Sequence, residues 1–416
     1  MPPDSQPPPV LATDSPVNRP PSAPAKKAWS LPKVVAILLS LCLGLFLADG
    51  LVSLADDSLI VFFGVHLLAG IRGLVFFFAI LAAIPVYGLM GLTPMIPKRF
   101  FFPVTLFSPL AMLSVFLFLI YFYRWLPQVT WSISFCQVVC GLIILACCQG
   151  GLKFRWPLVP ENQLGVRRFG WLNLVTFVLL NLLVLLPAVV AYLVICTSLA
   201  VGHFSDGFLA LRPGGLSVQV RKYVRNDGKT IQLVPMAHVG DPDFYRKLTA
   251  SFPTNAIVLM EGVTDEQNLL TNKISYKRMA ASLGLAEQRQ EFKLTGIEVV
   301  PADVDVGQFT TNTIAILNLV MRIHAKGLDA GTLAELMQWS PTPEVEAQLF
   351  DDLLTRRNQH LFGEIQTRLA QPEMLIVPWG AAHMPGIAKE IQKSGFRLDT
   401  TQEYFVIRFH GLGKSK

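Results

Sequence analysis

The sequence predicts two fold classes in one chain: an α-helical transmembrane bundle, then an α/β domain with a central, largely parallel or mixed sheet. Three observations predict this. The 416 residues are 52% hydrophobic, with a mean hydropathy of +0.46, which is too apolar for an ordinary soluble protein. The long apolar runs all precede residue 205. Beyond it, short apolar strands alternate with helical patterns, the signature of an α/β domain.

Residues 1–28 are rich in Pro, Ser and Ala without apolar periodicity, and read as a disordered tail. The first apolar run comes too late for an ordinary cleaved signal peptide and reads as a retained signal-anchor. Residues 29–204 hold the membrane region. A spanning helix needs ~20 mostly apolar residues, and five runs meet that: 34–55, 70 to about 92, 101–123, 129–149 and 171–201, with 59–69 as an interfacial or re-entrant lead-in to the second. Trp29, Trp125, Trp131, Trp156 and Trp171 sit near run ends, where amphipathic rings favour the interface.

Basic residues set the expected orientation. Arg19, Lys26, Lys27 and Lys33 precede the first run and Asp56 and Asp57 follow it; Lys98 and Arg99 follow the second; Lys153, Arg155, Arg167 and Arg168 lie between the fourth and fifth. With the N-terminus cytoplasmic and five spans, residues 205–416 fall on the outer face. This is the pattern of a multi-pass protein of a bacterial inner membrane with a periplasmic C-terminal domain. A transport pathway requires buried, paired charges. Asp49, His66 and Arg72 read instead as helix-end residues that snorkel or face water, which disfavours a transporter.

Residues 1–204 carry 12 Lys/Arg against 6 Asp/Glu, and residues 205–416 carry 23 of each. The basic excess thus belongs to the membrane half, and the neutral C-terminal half has no footprint for nucleic acid. Cys42, Cys136, Cys140, Cys147, Cys148 and Cys196 all lie in apolar segments, which argues against a disulfide framework or a thiolate metal site in residues 205–416.

Within the domain at 205–416, residues 216–224 alternate like a strand, 225–229 carry a tight-turn signal and 230–234 read as the return strand. A helix follows over 243–251, then an apolar strand at 256–260, one or two helices over 268–292 and a strand at 297–301. Residues 310–326 form an amphipathic helix stopped by Gly327. Residues 329–370 are helical with breaks at Pro341 and Pro343, and 374–377, 387–393 and 403–409 read as strand, helix and closing strand.

Four apolar strands end in reactive residues: His238, Glu261, Asp303 with Asp305, and His383. In open α/β sheets, ligands bind beyond the carboxyl ends of the strands. Imidazole with carboxylate oxygen suits Zn, Mn, Fe or Co, and the same set serves equally as general acid and base without a metal. His324, His360 and His410 lie within helix or terminal-strand patterns and are not candidates.

These residues carry a resemblance. The domain resembles the Tiki/TraB/PrgY group of the erythromycin-esterase-like superfamily, whose members have two Gly-x-x-His motifs, a Glu at the intervening strand end, an Asp-rich strand end and a helical Arg-Asn pair. Gly380-Ala-Ala-His383 followed by Pro385-Gly386 matches the second motif, whereas Pro235-Met-Ala-His238 has Pro in place of the first Gly. Glu261, Asp303-Val-Asp305 and Arg357-Asn358 match the rest, over about residues 216–409. The resemblance implies a membrane-anchored, metal-dependent hydrolase of peptide or ester bonds. His238, Glu261 and His383 would hold a divalent ion (Mn, Co, Zn or Fe) or serve as base, and Arg357 would stabilise an oxyanion. Asp303 and Asp305 would support the histidines, and Asn358 would orient a ligand or neighbouring side chain. The alternative is a non-catalytic receptor or regulator that binds a peptide or small molecule in the same pocket, which the Pro235 departure favours.

Overall fold

The computed structural model describes residues 30–65, 67–271, 276–326, 331, 343–370 and 374–409. The tail, Trp29, His66, Gly327, Pro341 and His410 lie outside the described residues. Packing divides the chain into two units, one within residues 1–115 and 124–183, the other within 116–123 and 184–416.

Five helices are long and apolar enough to cross a membrane, as a multi-pass membrane protein requires. α1 (Leu31–Phe63) opens with Pro32 in its first turn and stops at Gly64, whose φ of 68° places it in the left-handed region. α2 (Ala69–Leu92), α3 (Lys98–Tyr121) and α4 (Leu126–Gln149) follow. The fifth span, Trp171–Phe204, comprises α5 (Trp171–Leu180) and α6 (Leu186–Phe204), joined by a π turn at Asn181–Leu185. Pro187 has no N–H for the helical ladder, which accounts for the irregular turn before it. α1 and α4 pack closely at Gly141, where a Cβ would lie 2.4 Å from the Leu47 side chain.

Two expectations change here. The first helix does not end at residue 55 but runs to Phe63, so Asp56 and Asp57 are interior helical residues, each 2% exposed. The charges are also paired. Arg72 of α2 donates to Asp57 Oδ1 at 2.7 Å and to Asp56 Oδ2 at 3.3 Å, while Ser134 Oγ donates to Asp57 Oδ2 at 2.6 Å. Gln137 Nε2 donates to Asp49 Oδ2 at 2.8 Å and to the Phe46 carbonyl at 3.1 Å. Apolar run length marks a span but not which face of it turns inward, and that face carries the pairs.

In the second unit the chain runs β1 (Leu209–Arg212), β2 (Gly215–Val224), β3 (Thr230–Met236), β4 (Val239–Gly240), α7 (Pro242–Ala250) and β5 (Ile257–Met260). It continues through α8 (Lys277–Ser282), β6 (Ala286–Glu287), α9 (Gln288–Glu291), β7 (Glu298–Pro301), α10 (Thr311–Lys326), α11 (Pro343–Phe350) and α12 (Arg357–Arg368). β8 (Leu375–Gly380), α13 (Met384–Lys393) and β9 (Arg397–Arg408) complete it. The main sheet has the order β1-β2-β3-β8-β5-β7, with β9 on β2. β3, β8, β5 and β7 are parallel; β1, β2 and β9 are antiparallel. The mixed sheet therefore bears out the predicted fold class.

Of the parallel strands, β5 and β8 are buried almost throughout and read as apolar runs; β3 is buried over its second half, and the edge strand β7 is largely exposed. Leu375, Val377 and Trp379 join the core with Leu361 and Ile365 of α12 and Ile387 and Ile391 of α13. Ile376 joins Phe244, Tyr245 and Leu248 of α7 in another. The alternation of side chains along a strand sends neighbours to opposite faces, and helices cover both.

The one or two helices expected over 268–292 are two short ones, α8 and α9, and the start of the stretch lies outside them. Asn268 (φ 54°) and Gly284 (φ 66°) are left-handed, and residues 268–271 are not helical. β9 begins six residues before the expected closing strand. Residues 397–403 are exposed and, apart from Leu398, polar, and their strand state comes from pairing with β2 rather than from an apolar pattern. Gly215 is needed for that pairing: its φ is 148°, and a Cβ would sit 2.0 Å from the Ile407 carbonyl oxygen. Gly215→Ala is expected to loosen β9 at a cost of about 1–3 kcal/mol, read as faster amide exchange over 397–408.

Candidate functional site

Three parallel strands deliver their following residues to one place. Glu261 follows β5, Asp303 follows β7, and His383 follows β8 across a turn closed by the His383 N–H to the Gly380 carbonyl at 2.9 Å. Arg357 and Asn358 arrive from the first turn of α12.

Arg357 is the hub. Its Nε and Nη2 donate to Asp303 Oδ1 and Oδ2 at 2.9 and 2.6 Å, a two-point fork. Nη2 also donates to Glu261 Oε1 at 2.8 Å, and Nη1 lies 3.2 Å from His383 Nε2. Side-chain exposure is 13% for Arg357, 18% for Glu261, 0% for Asp303 and 5% for His383. Glu261 Oε2 accepts the Gly380 N–H at 2.5 Å, and Asp303 Oδ2 accepts the Gly262 N–H at 2.9 Å. The strand ends are thus tied by the site itself. Two carboxylates face one guanidinium, so with a neutral imidazole the cluster carries one net negative charge.

Burial, reinforced by the Arg357 charge, lowers the His383 pKa to about 4, against opposing pulls from Glu261 and Asp303. The imidazole is therefore neutral at pH 7. His383 Nδ1 lies 2.7 Å from Asn358 Oδ1. An amide oxygen only accepts, so Nδ1 carries the proton and the Nε2 lone pair faces Arg357 and Glu261, whose Oε1 is 3.6 Å away. Gly386 makes room for this: a Cβ there would lie 2.6 Å from Asn358 Nδ2.

The other expected members lie elsewhere. The His238 ring stacks on Tyr276 at 5.0 Å and 9°, and its carbonyl accepts from Gln288 N at 2.9 Å. Among the described residues no hydrogen bond or ion pair joins His238 to Glu261, Arg357 or His383. Asp305 accepts from Thr264 Oγ1, Glu266 N and Gly307 N at 2.8, 3.0 and 2.8 Å, and these donors hold its pKa below the ordinary value. It is a turn and capping residue, and it supports no histidine. Asp303 does join the cluster, but through Arg357.

The expected ligands His238, Glu261 and His383 do not form a coordination shell in this arrangement. Among the described residues no group of three or more His, Cys, Asp or Glu can hold a metal ion. The reason is local: Arg357 already donates to the Glu261 and His383 atoms a divalent ion would need. The donor set present fits a guanidinium, so no chemical step below runs through a metal.

Trp379 is a member that the strand-end pattern missed. It is fully buried, donates Nε1–H to the Leu259 carbonyl at 3.0 Å, meets the His383 ring edge-on at 5.1 Å and lies 5.4 Å from the Arg357 guanidinium. Its place immediately before Gly380-Ala-Ala-His383 was the available signal. No family model, no curated protein and no solved structure matches the chain.

Proposed function

We propose that this protein is a membrane-anchored hydrolase of the Tiki/TraB/PrgY type, acting on peptide or ester bonds through Glu261, His383 and Arg357. One observation carries the reading: a carboxylate, a neutral imidazole and a guanidinium lie within reach of one another beyond the carboxyl ends of parallel strands. In this reading His383 Nε2 takes a proton from the water that attacks the scissile carbonyl, and gives it to the leaving amine or alcohol as the C–N or C–O bond breaks. Asn358 fixes the tautomer, and Glu261 and Asp303 stabilise the imidazolium that forms. Arg357 releases Nη1 from His383 and donates to the oxyanion of the tetrahedral intermediate. Trp379 and the Asp303 fork hold the guanidinium in position.

The test uses the full chain in detergent micelles with panels of fluorogenic peptides and esters. Glu261→Gln and His383→Ala are each expected to lower kcat/KM by ~10²–10⁴-fold, and chelator is expected to leave the wild-type rate unchanged. Variants with wild-type rates remove the mechanism, and a rate abolished by chelator and restored by Mn restores metal-dependent chemistry. The second reading, a ligand-binding regulator, is favoured by the saturation of Arg357 by its own neighbours. Peptide binding without turnover selects it.

For sidedness, we infer a bacterial inner membrane with the C-terminal domain on its outer, periplasmic face. The alternation of basic clusters and the odd number of candidate spans support this. A C-terminal reporter active only in the cytoplasm reverses it.

A further inference from the structure

The packed membrane unit holds a carboxyl group that its ion pairs do not explain. Asp49 lies inside α1, 3% exposed. Its Oδ2 accepts from Gln137, while its Oδ1 is buried with no hydrogen-bond partner. Gln137 has no spare N–H donor, because the same Nε2 also serves the Phe46 carbonyl.

Among the described residues no cation forms an ion pair with Asp49; the Arg72 charge acts on it only from a distance. Arg72 of α2 makes its ion pairs with Asp56 and Asp57. α4 presents Ser134 and Gln137, both uncharged, with Cys140 further along. α3 presents Phe107 against Phe46, and Glu161, in the turn against the other end of α1, is exposed. A carboxylate with one bare oxygen between apolar helices is among the costliest arrangements in a membrane; a proton on that oxygen removes the charge and leaves an acceptor for Gln137.

We propose that Asp49 is a proton-binding site, held as a carboxylic acid with its proton on Oδ1. In the loading step hydronium gives up a proton and leaves water; the Asp49 O–H bond forms and no other bond changes. The Asp57–Ser134 and Asp56–Arg72 contacts begin two helical turns along α1, about 10 Å at 1.5 Å per residue. They supply a polar end to the same interface, where Arg72 is 32% exposed. This site is independent of the hydrolase reading.

The test is infrared difference spectroscopy on the full chain in lipid nanodiscs. Wild type minus Asp49→Asn is expected to contain the C=O stretch of a protonated carboxyl, shifted in D2O, and wild type minus Asp57→Asn is not. Asparagine keeps the size of the side chain and an acceptor for Gln137, so the variant is expected to melt like wild type. Absence of the band from the Asp49→Asn difference overturns the proposal. A measurement that needs no variant maps the adduct of a hydrophobic carbodiimide, which adds to protonated carboxyls, by mass spectrometry. An adduct at Asp49 supports the site, and one at Asp56 or Asp57 in its place overturns it.

Discussion

Replacing Arg357 by methionine lowers the stability of the sheet domain by about 3–5 kcal/mol, the cost of leaving a buried charge uncompensated. Methionine preserves much of the packing length, so the loss is electrostatic rather than a cavity. Asp303 is the sharpest casualty. Its side chain is 0% exposed and loses both points of the guanidinium fork, keeping only the backbone donors of Gly262 and Val304. Glu261 loses its guanidinium as well and keeps only the Gly380 N–H. Arg357→Lys keeps the charge but not the fork and falls between. The double variant Arg357→Met/Asp303→Asn recovers part of the loss, because the unpaired charge is gone. Hydrogen exchange of the β5 and β8 amides in the full chain reads each step. Equal protection in wild type and Arg357→Met rejects the account of the cluster as an Arg-centred knot.

The second expected result concerns acid. The His383 pKa is about 4 in the folded chain against 6.5 for an unperturbed imidazole. Between those values the unfolded state binds more protons than the folded one, so stability rises with pH across that window. The contribution is fully present above about 6.5 and is lost as pH falls towards 4, amounting to about 3 kcal/mol. His383→Gln carries no such titration, so its stability is flatter through the same window. Unfolding of both proteins from neutral pH down to about pH 4 gives the comparison. Direct observation of the imidazole by NMR is expected to show a neutral ring through most of it. An imidazole that titrates near 6.5 contradicts the buried, Arg357-flanked setting.

Much of the catalytic hypothesis was legible without coordinates. Glu261, Asp303 and His383 each follow a largely apolar run, and neighbouring parallel strands open their carboxyl ends together. Arg357-Asn358 was recognisable only by resemblance; on a helix it otherwise reads as a solvated charge run. His238 follows an equally good strand, β3, yet its ring turns to Tyr276. The sequence marks where a strand stops but not where the next side chain points. Asp305 illustrates the same limit, since two residues beyond Asp303 it serves its own turn.

What the sequence by itself determined were the properties carried by local periodicity and composition: five helices long and apolar enough to span a membrane, the α/β order and the neutral C-terminal half. These depend on the apolar surface each segment must bury, and that is written residue by residue. Tertiary structure alone decided which polar groups meet. It placed a guanidinium where a metal was expected and turned Asp56 and Asp57 inward to Arg72. It also left Asp49 with a bare oxygen and made a strand of the polar stretch 397–403. Those outcomes follow from the rotation of helices about their axes and from the pairing of strands distant in sequence. Both are set by the energy of the whole packing, with no trace in the pattern of any one segment.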